Sequence, residues 1–375
     1  MTHSTPIAIV ASMDPVLRDG LAASLMLGAR RTVTLRHDLT GHTLRRVVSD
    51  STGILDDTAI HLEHPCSTCA MSTEAIPTLR SLVDAGRWDA IVLAVPVTAD
   101  PHVIAHLLSA SVPGAHLARV VTSVDSRTVQ NDLLGDDTVA ERGLTASGVD
   151  ERSIGEVLAA QVEYADIVAV DEEDPVGHDL VAQLAAADAI LTGHYDVDEE
   201  AVFGHRHSCD SAHSRLVRPH AHPSTAHAWT IELEDERPFH PDRLVENIEW
   251  IGAGRLRARG EFWVPTRPHS VCRWEGAGGQ LAIGVDAEQS EARTGLGRDA
   301  GGGADGAAPT PGPVPAVTAL PRTRLVITGV DPADAARVRQ AFQTCLLTEE
   351  EWADGLAPWL GRADALDPWL GQRAA

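Results

Sequence analysis

The chain reads as an α/β protein, a mainly parallel sheet with helices on both faces followed by a smaller α+β C-terminal domain. Three observations predict this. Short runs rich in Val, Ile and Ala alternate with helical runs through the first half; the alternation stops near residue 195; strand-like runs dominate again from Trp229. A length of 375 residues exceeds one comfortable hydrophobic core and fits two domains.

In order, PIAIVA (6–11) is the first strand and 14–28 the first helix. TVTLRH (32–37) and TAIHLE (58–63) are further strands, the second leading into helix 72–85. DAIVLAV (89–95) precedes helix 101–111, ARVVTSV (118–124) precedes helix 151–164, and DIVAV (166–170) precedes helix 176–187. These make a domain over 1–195. Pro, Ser and Gly then mix with histidine, so 194–226 reads as an exposed loop or linker. The second domain, 227–350, has strands AWTIELE (228–234), RARGEFWV (257–264), SVCRWE (270–275), QLAIGV (280–285) and RLVITGV (324–330), with helices 241–250 and 332–345. Residues 286–320, including GGGADGAAPTPGPVPA, are too poor in apolar side chains to offset ordering and read as a disordered insertion. Residues 351–375 read as a tail.

Composition excludes several functions. The net charge is −24 and no arginine stripe offsets it, which argues against nucleic acid. All thirty basic residues are arginine. No apolar run approaches the roughly 18 residues needed to span a bilayer, and MTHSTPIAIVAS lacks the parts of a signal peptide. The expectation is a cytoplasmic protein. Five scattered cysteines do not make a secreted disulfide framework, which leaves ligand or redox roles open.

Two clusters carry metal chemistry. Seven of the eighteen histidines fall between His194 and His227, where an even spread would put about two. In HxHxC the donors His205, His207 and Cys209 share one side if the segment is extended. His213, His220 and His222 extend the set into a metal-collecting loop. Upstream, HLEHPCSTC brings His61, His64, Cys66 and Cys69 close enough to enclose one ion. Thiolate and imidazole donors favour zinc, copper(I) or nickel over magnesium or calcium, and zinc is the expected ion. Cys66 and Cys69 also fit a redox dithiol or a pair of small buried thiols.

Several strings resemble the CobW-like family, P-loop GTPases that act as cytoplasmic metallochaperones and carry a smaller C-terminal domain. PCSTC resembles its Cys-x-Cys-Cys motif, with Thr68 in place of the middle cysteine. AVPVTADP (94–101) keeps Ala99, Asp100 and Pro101 of a second motif, and ERSIGEVLAAQVEYADIVAV (151–170) resembles the helix and strand before the guanine motif. RPFHPDRL (237–244), RGEFWVPTRP (259–268), LVITGVDP and CLLTEEE resemble the C-terminal domain. The resemblance implies a P-loop-NTPase-like first domain, a metal cargo and a client metalloprotein.

The nucleotide motifs depart from that pattern. A P-loop needs G-x-x-x-x-G-K-[ST], but the corresponding place reads ASMDPVLRDGLAAS, with no lysine and with Asp14-Pro15 where phosphate enters. At the guanine motif the sequence is DEED (171–174), leaving only Asp174 to contact a base. Arg18 is a poor substitute for the lysine because a planar fork does not replace a point charge in a tight loop. The expectation is a zinc-binding pseudo-GTPase in metal homeostasis or transfer, with GTP and magnesium not expected as cofactors. Alternatives are a GTPase with unconventional contacts and a protein-interaction module without metal.

Overall fold

The computed structural model describes residues 4–63, 67–144, 150–170, 174–252, 254–287, 289–290 and 320–371. In the first domain β1 (Thr5–Ala11) leads into α1 (Pro15–Met26). The strands β2 (Thr32–Thr40), β3 (Thr43–Asp50) and β4 (Gly53–His61) form an antiparallel meander. Gly41, at φ +54°, admits the two-residue turn between β2 and β3. The chain continues through α2 (Ser67–Ala70), a π-helical turn (Met71–Ala75) and α3 (Ile76–Ala85). Then come β5 (Ala90–Ala94), α4 (Pro101–Ser111), β6 (Ala115–Val124), α5 (Ser126–Leu134), α6 (Ile154–Tyr164), β7 (Ile167–Val170), α7 (Pro175–Leu184) and β8 (Ile190–Gly193). The eight strands lie in the order β4-β3-β2-β5-β1-β6-β7-β8, parallel from β2 through β5 to β8. β1 and β5 sit in the middle with almost every side chain buried, because helices cover both faces.

Strand β3 has no counterpart in the sequence reading: Arg45 and Arg46 interrupt its apolar pattern, and both pair across to Asp57 and Asp56 of β4.

The segment 194–226 is not an open loop. It contains α8 (Glu199–Phe203), capped by Asp198, and α9 (Cys209–Val217), capped by Ser208. Val202 and Phe203 are buried against one face of the sheet, and Ala212 is buried on the other. These helices are short, and the polar cap residues that start them also suit a loop, which is why composition hides them.

The second domain is a five-stranded antiparallel sheet, β9 (Trp229–Asp235), β10 (Leu256–Phe262), β11 (Val271–Ala277), β12 (Gln280–Asp286) and β13 (Thr323–Gly329), in the order β12-β11-β10-β13-β9. Helices α10 (Pro241–Gly252) and α11 (Pro332–Cys345) pack on it around Phe239, Phe262, Trp274 and Phe342. Cys272 and Cys345 are buried in this core, and burial pushes both thiols up to about 12.

The end of the chain is also packed. Within 351–371, Leu366 and Leu370 join the same core, Arg267 pairs with Asp367, and Thr266 bonds to Asp364. Elements α12 (Glu349–Ala353) and α13 (Asp367–Leu370) lie there. Most of the insertion read as disordered, 288 and 291–319, lies outside the described residues.

The domains meet through a buried ion network. Glu163 of α6 receives Arg257 at 2.8 Å and Arg259 at 2.8 Å from β10, and Arg257 also reaches Glu275 at 2.8 Å. Burial alone would raise the Glu163 carboxyl, but the two guanidiniums hold it below its usual range. Close by, Gly278 packs on the backbone of Gly135, where a Cβ would fall 1.9 Å from the Gly135 oxygen. Among the described residues no helix is long and apolar enough to cross a membrane.

Candidate functional site

In an open α/β sheet, ligands bind at the carboxyl ends of the parallel strands, where helices begin. Here four of those helices are closed by aspartates. Asp14, after β1, accepts from the Val16 and Leu17 amides at 2.6 and 3.2 Å. Asp100 caps α4 through the His102 amide at 2.9 Å. Asp125 caps α5 through the Arg127 amide at 3.0 Å, and Asp174 caps α7 through Val176 and Gly177 at 2.8 and 3.3 Å. Asp174, the residue expected to face a base, thus spends its carboxylate on its own helix. A cleft of about 300 Å³ beside β1 and β6 is lined by Ser12, Asp14, Asp125, Asp132 and Arg142. Its guanidinium is engaged by Asp132 at 2.9 Å and Asp137 at 2.7 Å.

Arg18 does not point into that cleft. It is 1% exposed, bonds the Val95 and His37 carbonyls at 2.9 and 3.3 Å, and pairs with Asp38 at 2.5 Å. It ties α1 to β2 and the end of β5.

Of the upstream donors, His64 and Cys66 lie outside the described residues. His61 ends β4, exposed, its ring stacked on His42 with centroids 5.8 Å apart. Cys69 is exposed in α2, just before the π-helical turn.

The downstream donors do not share one side of an extended strand. His205 is exposed, whereas the His207 side chain is enclosed, with Nδ1 2.7 Å from Asp166 and Nε2 3.1 Å from the Tyr164 hydroxyl. Cys209 instead opens α9, since Ser208 caps a helix there. Burial alone would raise the Asp166 carboxyl, yet His207, the Val120 amide and Arg215 lower it. His220 and His222 meet edge to face with centroids 5.1 Å apart, and His222 donates to the Ala185 carbonyl at 2.9 Å.

His213, on α9, has left its loop companions. Its Nδ1 lies 3.2 Å from Nε2 of His102 on α4, and His106 is one turn along that helix. Burial lowers the His102 pKa, with Asp100 opposing and the other two imidazoles assisting. Sequence reasoning passed over His102 and His106, although their i, i+4 spacing on a predicted helix puts both on one face. Among the described residues no three His, Cys, Asp or Glu side chains converge on one point as they stand.

The described chain is thus an α/β domain with a mainly parallel sheet joined to a smaller domain with an antiparallel sheet. The chain is CobW-like: residues 228–346 match the cobalamin synthesis protein cobW C-terminal domain. A zinc chaperone of Mycobacterium tuberculosis is 28% identical over 303 residues, 74% of this chain and 72% of that protein. Zinc-regulated GTPase metalloprotein activator 1 of Dictyostelium discoideum is 22% identical over 262 residues, 60% of this chain and 54% of that protein. The Zn(II)-bound YjiA GTPase from E. coli aligns with 92% of this chain and 99% of its own, at 13% identity and a TM-score of 0.37.

Proposed function

We propose that this protein binds zinc in the cytoplasm and passes it to a client metalloprotein, using a CobW-like frame that no longer works as a GTPase. The zinc half of the reading is supported by similarity to a zinc chaperone along most of the chain and by HLEHPCSTC, where Cys66 and Cys69 with His64 or His61 supply three donors toward a tetrahedral set. The other half is carried by one observation, the Asp14 carboxylate seated on the first amides of α1, where a phosphate would take those donors. A triphosphate would have to displace an anion already there. Loss of two charge-assisted contacts, the lysine and the base recognition, costs about 3–6 kcal/mol, roughly two to four decades of affinity.

A second reading, a working GTPase with unconventional contacts, draws on the relative named a zinc-regulated GTPase metalloprotein activator. Two measurements on untagged protein separate the readings. Zinc competition titration should show a tight phase that disappears in Cys66→Ser/Cys69→Ser, and an unchanged tight phase would remove that site. Calorimetry with GTP and magnesium, with and without zinc, should show no binding in the micromolar range; binding or turnover above a protein-free control would restore the GTPase.

A further inference from the structure

We propose that His102, His106 and His213 form a second zinc-class site, held between α4 and α9 and independent of the cysteines. Three imidazoles from two helices crowd together here: ring centroids are 4.6 Å apart for His102–His106, 5.3 Å for His102–His213 and 6.3 Å for His106–His213. Around a tetrahedral zinc with nitrogens at about 2.0 Å, neighbouring nitrogens fall about 3.3 Å apart and imidazole centres about 5 Å apart. The His102 Nε2 and His213 Nδ1 atoms already stand at such an edge, 3.2 Å apart. In the metal-free protein that contact is a hydrogen bond; with an ion between them both nitrogens would present lone pairs instead.

His106 brings the third donor. Its Nδ1–H donates to the His102 carbonyl at 3.1 Å, which leaves Nε2 as the atom with the free lone pair. The ring is exposed, and a change of its side-chain rotamer is required before the three donors converge. Behind the site Tyr164 packs edge-on against the His102 ring at 5.1 Å, and its hydroxyl is fixed by His207, which in turn meets Asp166.

The fourth position has a source. A cleft of about 410 Å³ at the domain junction is lined by His102 and His213 together with Glu163, Arg257 and Glu275, giving water or an incoming donor access to the ion. Three neutral nitrogens and an open position suit zinc, cobalt(II) or nickel and do not suit magnesium or calcium.

The test uses full-length untagged protein carrying Cys66→Ser, Cys69→Ser and Cys209→Ser, so thiolate sites contribute nothing and failure of the cysteine reading leaves this one intact. Cobalt(II) titration, followed by visible d–d absorption, should show one equivalent bound. Replacing His106 or His213 by Gln should weaken that binding at least about tenfold, since loss of outer partners alone costs 10–100-fold. Far-UV circular dichroism checks the fold, and His106→Gln, at an exposed position, decides the matter if His213→Gln fails to fold. No cobalt binding in the triple-serine variant, or binding of equal strength when His106→Gln is added to it, would overturn the proposal.

Discussion

His37, in the middle of β2, is enclosed, and neither ring nitrogen has a hydrogen-bond partner among the described residues. Burial, helped by Arg46 and Arg18 and opposed by Asp38, lowers its pKa from 6.5 to about 4. Between those values the unfolded chain takes up a proton that the folded chain refuses, so stability falls as pH drops through that window. The full loss is about 3 kcal/mol at 1.36 kcal/mol per pH unit. Denaturant titrations across the window should show His37→Leu losing less stability on acidification than the parent protein. Equal losses would place the acid sensitivity elsewhere. At the same scale Asp14 and Arg18 show how a motif read from sequence acquires a physical meaning. The missing lysine is visible in the string; the carboxylate that takes over its helix end, and the guanidinium buried against β2 and the end of β5, are visible only in three dimensions.

Among the elements, α6 carries the buried charge of a domain contact that α5 and α7 share. Its N-terminus is fixed by a capping box, Ser153 with Glu156, and its last turn carries Glu163 to the two arginines of β10. Glu163→Gln would leave Arg259 buried without its carboxylate partner, while Arg257 keeps Glu275. Breaking a buried pair from one side costs about 3–5 kcal/mol, so this substitution should lower stability by that order in equilibrium denaturation. A change under about 1 kcal/mol would mean the interface is held by packing alone. Helix α9 makes the complementary point. Its nine residues carry one fully buried side chain, Ala212, so no apolar stripe announces it, yet it delivers His213 to α4.

Across the whole molecule, the five described strands of the second sheet pair in an unbroken row from β12 to β9. β12 and β13 are separated by β11 and β10, three strand spacings or about 14 Å, and Asp286 and Thr323 lie at the same edge of the sheet. A flexible linker of about ten Gly and Ser residues has a root-mean-square span of about 17 Å and bridges that gap. Replacing 291–319 with such a linker should leave the thermal midpoint within about 2 °C, measured by calorimetry, because loop closure changes by only about 0.6 kcal/mol per doubling of length. A drop beyond that would assign packed structure to the segment.

The sequence by itself determined the α/β class, the order of most strands and helices, and a smaller α+β second domain, since apolar period and strand–helix alternation are local properties of the chain. It also carried the cysteine and histidine clusters as composition. Only the tertiary structure decided which donors meet. His207 turned inward to Asp166 and Tyr164, His213 crossed to His102, and Asp174 capped its own helix, because each position depends on how distant elements pack. The same holds for 194–226 and 351–371. Their short elements lack a periodic face of their own and gain order by burying a few side chains, Phe203, Ala212, Leu366 and Leu370, in cores that other segments build.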